Sequence, residues 1–214
     1  VWYLTGRQWH KKKLWTSVIT PWLLLWSCWL FVMFVDTRWI IDTTVLTASV
    51  SLWIFLQTIF LYFNVRPRYQ AHALENISSY INLLVVFLGW SGMFALLLFG
   101  PLPFWQLFGI TSLVTAVVIG LLTFQILWVS DVPAQTSWLY TGIITLIITE
   151  LFASLRFLPT GIYVNSLLMT IAYYLLTGLA RNWLAGITEP KVIRRYLAIS
   201  AVSAFILLTT ARWT

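Results

Sequence analysis

Glu150 and Arg156 stand six residues apart in ITELFASLRFLPTG, residues 148–161, where the chain is otherwise almost wholly apolar. A carboxylate so placed can hold a proton or a cation, and a guanidinium can grip a phosphate or carboxylate through paired N–H donors. Asp36, Arg38 and Asp42 upstream and Asn165 and Tyr173 downstream are further candidates for the same chemistry. Along a helix Arg156 lies roughly 9 Å beyond Glu150 and about 120° around it, so the two are not natural partners on one helix. Glu150 falls about eight residues, or ~12 Å, from the end of its span. An acidic side chain near the middle of a span costs on the order of 2.5–3.5 kcal/mol, so the expectation is that it turns into the bundle. The expected arrangement is a network of Asp36, Arg38, Asp42 and Arg156 at one membrane surface, with Glu150 beneath it and within reach of Asn165 or Tyr173. It would act either as a lock on the ends of three helices or as a proton- or cation-coupling site.

The elements that must position these residues follow from composition. Of 214 residues 60% are hydrophobic and 9% charged, against roughly a quarter charged in a soluble domain. Runs able to cross a hydrocarbon core of about 30 Å, which takes about 20 helical residues, recur from Leu14 to Trp213. Seven spans are expected, at 14–35, 39–63, 80–100, 104–129, 137–158, 162–185 and 193–213. Stretches such as SYINLLVVFLGWSGMFALLLFG are apolar on every side, whereas barrel strands alternate in polarity. The fold class is therefore an all-α integral membrane bundle with short loops: a basic segment, 1–13, followed by a single seven-helix domain, 14–214. Comparing the first three spans with the last three reveals no clear internal repeat.

The net charge of +7 is arranged for topology rather than for nucleic acid. Arg7, Lys11, Lys12, Lys13, Arg66, Arg68, Arg181, Lys191, Arg194 and Arg195 fall on one side of the expected membrane, and Arg38, Arg156 and Arg212 on the other. By the positive-inside rule the N-terminus is cytoplasmic and the C-terminus outside, in a plasma (inner) membrane.

Three helix faces stand out. In the sixth span Ser166, Thr170, Tyr173, Thr177 and Arg181 share a face, as do Thr44, Thr47, Ser51 and Thr58 in the second. Facing each other, they would line an interior path; the plainer alternative is that the hydroxyls bond nearby carbonyls, each contributing about 1 kcal/mol or less. Gly109, Ser112, Ala116, Gly120 and Thr123 form a small-residue stripe on the fourth span, which suits a central helix or a homodimer contact. Trp15, Trp22, Trp26 and Trp29 share a face of the first span, open to lipid, protein or a flat small molecule. Trp39, Trp105, Trp128, Trp138, Trp183 and Trp213 mark span ends, where indoles anchor.

Residue supply excludes most catalytic classes. The two histidines, His10 and His72, lie outside the spans, and Cys28 is the one cysteine, so no metal or cofactor is expected. There is no phosphate loop, no GxSxG and no HExxH, and the seventh span has no interior lysine for a retinal Schiff base. The leading expectation is a small transporter-like or lipid-handling protein. Its alternative is a non-catalytic accessory or assembly subunit of a membrane complex, and the third reading is a lipid-modifying enzyme in which Arg38 and Arg156 hold a phosphate.

Overall fold

A computed structural model describes residues 13–64, 69–130, 133–187 and 189–213. Arg7, His10, Lys11, Lys12, Arg66 and Arg68 lie outside the described residues, as do the side chains of Lys13, Trp15, His72 and Trp128. The described chain is all helix and turn: α1 (Lys13–Val32), α2 (Arg38–Asn64), α3 (Tyr69–Phe99), α4 (Phe104–Val129), α5 (Ala134–Leu155), α6 (Ile162–Leu184) and α7 (Pro190–Thr210).

Local chemistry sets most of the boundaries. Gly100, Pro101 and Pro103 stop α3, and the Pro103 carbonyl then accepts from Gln106 and Leu107 to start α4. Pro133 precedes α5 in the same way, accepting from Ser137. At the end of α6, Gly186 takes φ 75°, a backbone conformation that side chains disfavour. Pro190 occupies the first turn of α7, where its missing N–H has no helical partner to lose. One boundary departs from expectation: α3 begins at Tyr69 rather than at Tyr80, absorbing the polar run HALENIS. No proline or glycine interrupts that run, so helical hydrogen bonding propagates from the apolar part into it.

Six helices, α2 to α7, are long and apolar enough to cross a membrane, and α1 contributes a shorter apolar stretch, Val18–Val32. The chain is a multi-pass helical membrane protein. Exposed indoles collect at both ends of the bundle: Trp39, Trp105 and Trp213 at one, Trp138 and Trp183 at the other. Below, the amino-terminal end is the one where α1 begins, and the far end is the one where α6 begins.

The hub is α3, not α4. It packs against α1, α2, α4 and α6, and 72% of its membrane window is buried, against 17% for α2 and 6% for α7. Small residues make this close approach feasible. A Cβ on Gly92 would come within 2.5 Å of Leu30 Cγ, and one on Gly89 within 2.9 Å of Ser27 Oγ. The stripe on α4 is looser: Gly109 is open, Ser112 and Ala116 are half-buried, and Gly120 meets only Thr145 of α5, at 3.6 Å. Trp22 and Trp29 of α1 point out of the bundle, whereas Trp26 packs against its core.

Candidate functional site

The polar face of α6 does turn inward. Ser166, Tyr173 and Thr177 are buried, Thr170 and Arg181 half-buried. Three of its hydroxyls donate back to their own helix, Ser166 to Ile162 O, Thr170 to Ser166 O and Thr177 to Tyr173 O, which satisfies the hydroxyl hydrogens but leaves oxygen lone pairs. The expected partner face is wrong, however. α2 does not pack on α6 because α3 stands between them, and on α2 Thr47 is exposed while Thr44, Ser51 and Thr58 are only half-buried.

α6 instead faces polar groups on α3 and α4 that the sequence reading missed. Thr20 of α1 donates to Asn82 Oδ1 at 3.3 Å, and Asn82 Nδ2 donates to Gln125 Oε1 of α4 at 3.0 Å. The Tyr173 hydroxyl is directed at Thr123 and Asn82, yet neither satisfies full hydrogen-bond geometry with it. Among the described residues, Ser78 Oγ, Thr115 Oγ1, Thr123 Oγ1, Gln125 Nε2 and Tyr173 OH are buried with no hydrogen-bond partner. Glu75, Ser78 and Asn82 are spaced three and four apart, a helical face that was legible in principle. The polar composition of the run around Glu75 and Ser78 masks it, because that run reads as a link although α3 passes through it.

At the amino-terminal end this polar seam closes on an ion pair. Arg181 Nε lies 3.6 Å from Glu75 Oε1, and both side chains are mostly buried, 21% and 17% exposed. Ser130, just past α4, donates a short hydrogen bond to the same carboxylate oxygen.

At the far end, beyond the buried Met169, Phe94 and Phe152, lies a cavity of about 190 Å³ lined by Phe94, Leu97, Leu98, Arg156, Leu158, Thr160, Ile162 and Asn165. Thr160 donates to Asn165 Oδ1 at 2.6 Å. The Arg156 guanidinium sits 3.7 Å from the centre of the Phe104 ring, and burial lowers its pKa without discharging it. The anticipated network does not assemble: Asp36, Arg38 and Asp42 are exposed, and among the described residues no carboxylate pairs with Arg156.

Glu150 is likewise not beneath a network. Ile144, Ile148, Phe152 and Leu155 hold the core face of α5, and the helical period leaves Glu150 about 200° from Ile148, exposed on the outer surface. It lies five residues from the end of α5 at Leu155, or ~7.5 Å of rise, closer to the membrane surface than expected. Asn165 and Tyr173, by contrast, are buried on α6 and out of its reach.

A second, apolar groove of about 320 Å³ opens beside α5, α6 and the start of α7, walled by Ile143, Ile147, Leu176, Trp183 and Val192 among others. Among the described residues no group of three His, Cys, Asp or Glu side chains gathers as a metal site. No known protein family matches the chain, and comparison with curated proteins and with solved structures gives no match.

Proposed function

We propose that this membrane protein is a small transporter-like bundle that binds a polar solute or lipid headgroup at the far end and handles it along the seam between α3, α4 and α6. The observation that carries the reading is the cluster of buried, partnerless polar atoms on Ser78, Thr115, Thr123, Gln125 and Tyr173, in the half of the bundle that ends at the Glu75–Arg181 pair. Each such group left unsatisfied costs about 1–3 kcal/mol, a cost that a ligand or a hydrated state would offset. In this conformation the ion pair shuts the amino-terminal end, and passage requires Arg181 to part from Glu75. The excess of Arg181, Lys191, Arg194 and Arg195 at that end over Arg38, Arg156 and Arg212 at the other supports a cytoplasmic amino-terminal end.

Cys28 is the single cysteine, so Cys28→Ser gives a clean background for accessibility. Thr123→Cys and Thr177→Cys in the seam should react with a membrane-impermeant methanethiosulfonate in proteoliposomes, whereas Ile148→Cys and Met169→Cys in the apolar core should not. If the seam cysteines are as inert as the core ones, no aqueous path exists and the transport reading falls.

A second reading, the accessory or assembly subunit, is favoured by one separate observation: Glu150 and nearly the whole of α7 look out of the bundle. Stable co-purification of a stoichiometric membrane partner, lost on Glu150→Leu, would support it.

A further inference from the structure

The far-end cavity has the chemistry of an oxyanion site. Its charged group and its most buried amide both present N–H donors to the space. Arg156 is the one ionisable side chain in its lining. Its Nη1 is buried without a partner, and its contact with the Phe104 ring steadies the charge while using none of the N–H groups that recognise oxygen. Asn165 is 5% exposed; its amide oxygen is taken by Thr160, so its NH2 is what remains, and among the described residues it has no acceptor. The third contribution is the start of α6. Gly161 caps it without a side-chain bond, and the Gly161 carbonyl is engaged by the N–H groups of Val164 and Asn165. That leaves the first N–H groups of the helix, at Ile162 on the cavity wall, as unpaired donors carrying the positive end of the helix dipole.

Among the described residues no carboxylate offsets this. Glu150 is not in the lining, and Asp36 and Asp42 are exposed without an ion pair to Arg156. The remaining walls, Phe94, Leu97, Leu98 and Leu158, are apolar. Such walls lower the local dielectric beside the donors and strengthen each charge-assisted bond.

We propose that Arg156, Asn165 and the amino terminus of α6 form a binding site for a phosphate-type oxyanion, presented either by a membrane lipid headgroup or as a free anion. The proposal uses the far-end cavity but not transport along the seam: binding without passage would uphold the site and defeat the transport reading.

The test uses the full chain in neutral detergent with two probes. Native mass spectrometry after incubation with phosphatidylglycerol or phosphatidylcholine counts retained lipid, and thermal unfolding with inorganic phosphate against chloride at equal ionic strength reads the free anion. The expected result is selective retention of one phosphatidylglycerol, or stabilisation by phosphate, weakened about tenfold or more by Arg156→Gln. Arg212→Gln, at the same end but outside the cavity, should leave both unchanged. Asn165→Asp keeps the side-chain shape and its bond from Thr160, so it should abolish binding by repulsion even if Arg156→Gln were to misfold. Lipid retention alone names a headgroup, and phosphate stabilisation alone names a free anion. If wild-type protein shows neither effect, or Asn165→Asp alters neither, the site does not exist.

Discussion

Two arginines bracket α6, and they have opposite company. Arg181, in its last turn, is held against Glu75 with Ser130 on the same carboxylate. Arg156, the residue that caps the end of α5 before the loop into α6, lies on the Phe104 ring and faces a cavity. Both are cations at the edge of an apolar bundle, where an isolated charge is expensive. The paired one is neutralised within the fold. The other rests on an aromatic ring, and among the described residues no carboxylate pairs with it, which is what the proposed oxyanion site uses. What separates the two charges is whether a neighbouring helix supplies the counterion.

Breaking the pair should have the largest effect. Glu75→Leu strands Arg181 and is expected to cost about 2–4 kcal/mol, measured by reversible unfolding in mixed micelles. Adding Arg181→Met should recover most of that loss; failure to recover would mean that Glu75 acts mainly through Ser130 or another neighbour. Next in size is the link between the two ends. Asn82→Leu removes both the acceptor of Thr20 and the donor to Gln125, for an expected ~1 kcal/mol, seen as a lower melting temperature.

Arg156→Gln should change stability less, by about 0.5–1 kcal/mol, since only the contact with Phe104 is lost. A cost equal to that of Glu75→Leu would erase the contrast between the two ends. Glu150→Gln should be smallest, within about 0.5 kcal/mol, because the residue faces away from every helix described. A large destabilisation there, measured on the purified chain alone, would mean that Glu150 holds an intramolecular partner after all.

The charged residues show most clearly where reading the sequence succeeds and fails. Spacing puts Arg181, Ser166, Tyr173 and Thr177 on one face of α6, and of these Arg181 is half-buried and the other three buried. Glu75, the counterion, was overlooked because its surroundings, NVRPRYQAHALENIS, read as a polar link although helix α3 runs through it from Tyr69. Glu150 was identified as unusual yet assigned the wrong direction. Its cost in lipid is a reason to turn inward, but α5 already spends its inward face on Ile144, Ile148 and Phe152, and rotating the helix to bury one carboxylate would expose all of them to loss of packing.

The sequence by itself determined that this is a helical membrane bundle, roughly where its helices begin and end, and which residues share a helical face, since these follow from apolar length, proline and glycine chemistry and the 3.6-residue period. Only the tertiary structure decided that α3 rather than α4 is the hub, that the polar face of α6 packs on α3, with Tyr173 turned toward Thr123 of α4, rather than on α2, and that Arg156 faces a cavity while Arg181 faces a carboxylate. The physical reason is that lipid tails are as apolar as the protein core. A helix in a membrane therefore carries little contrast between its inner and outer sides, and direction is settled by small-residue fit and polar partners on other helices, which no single span encodes.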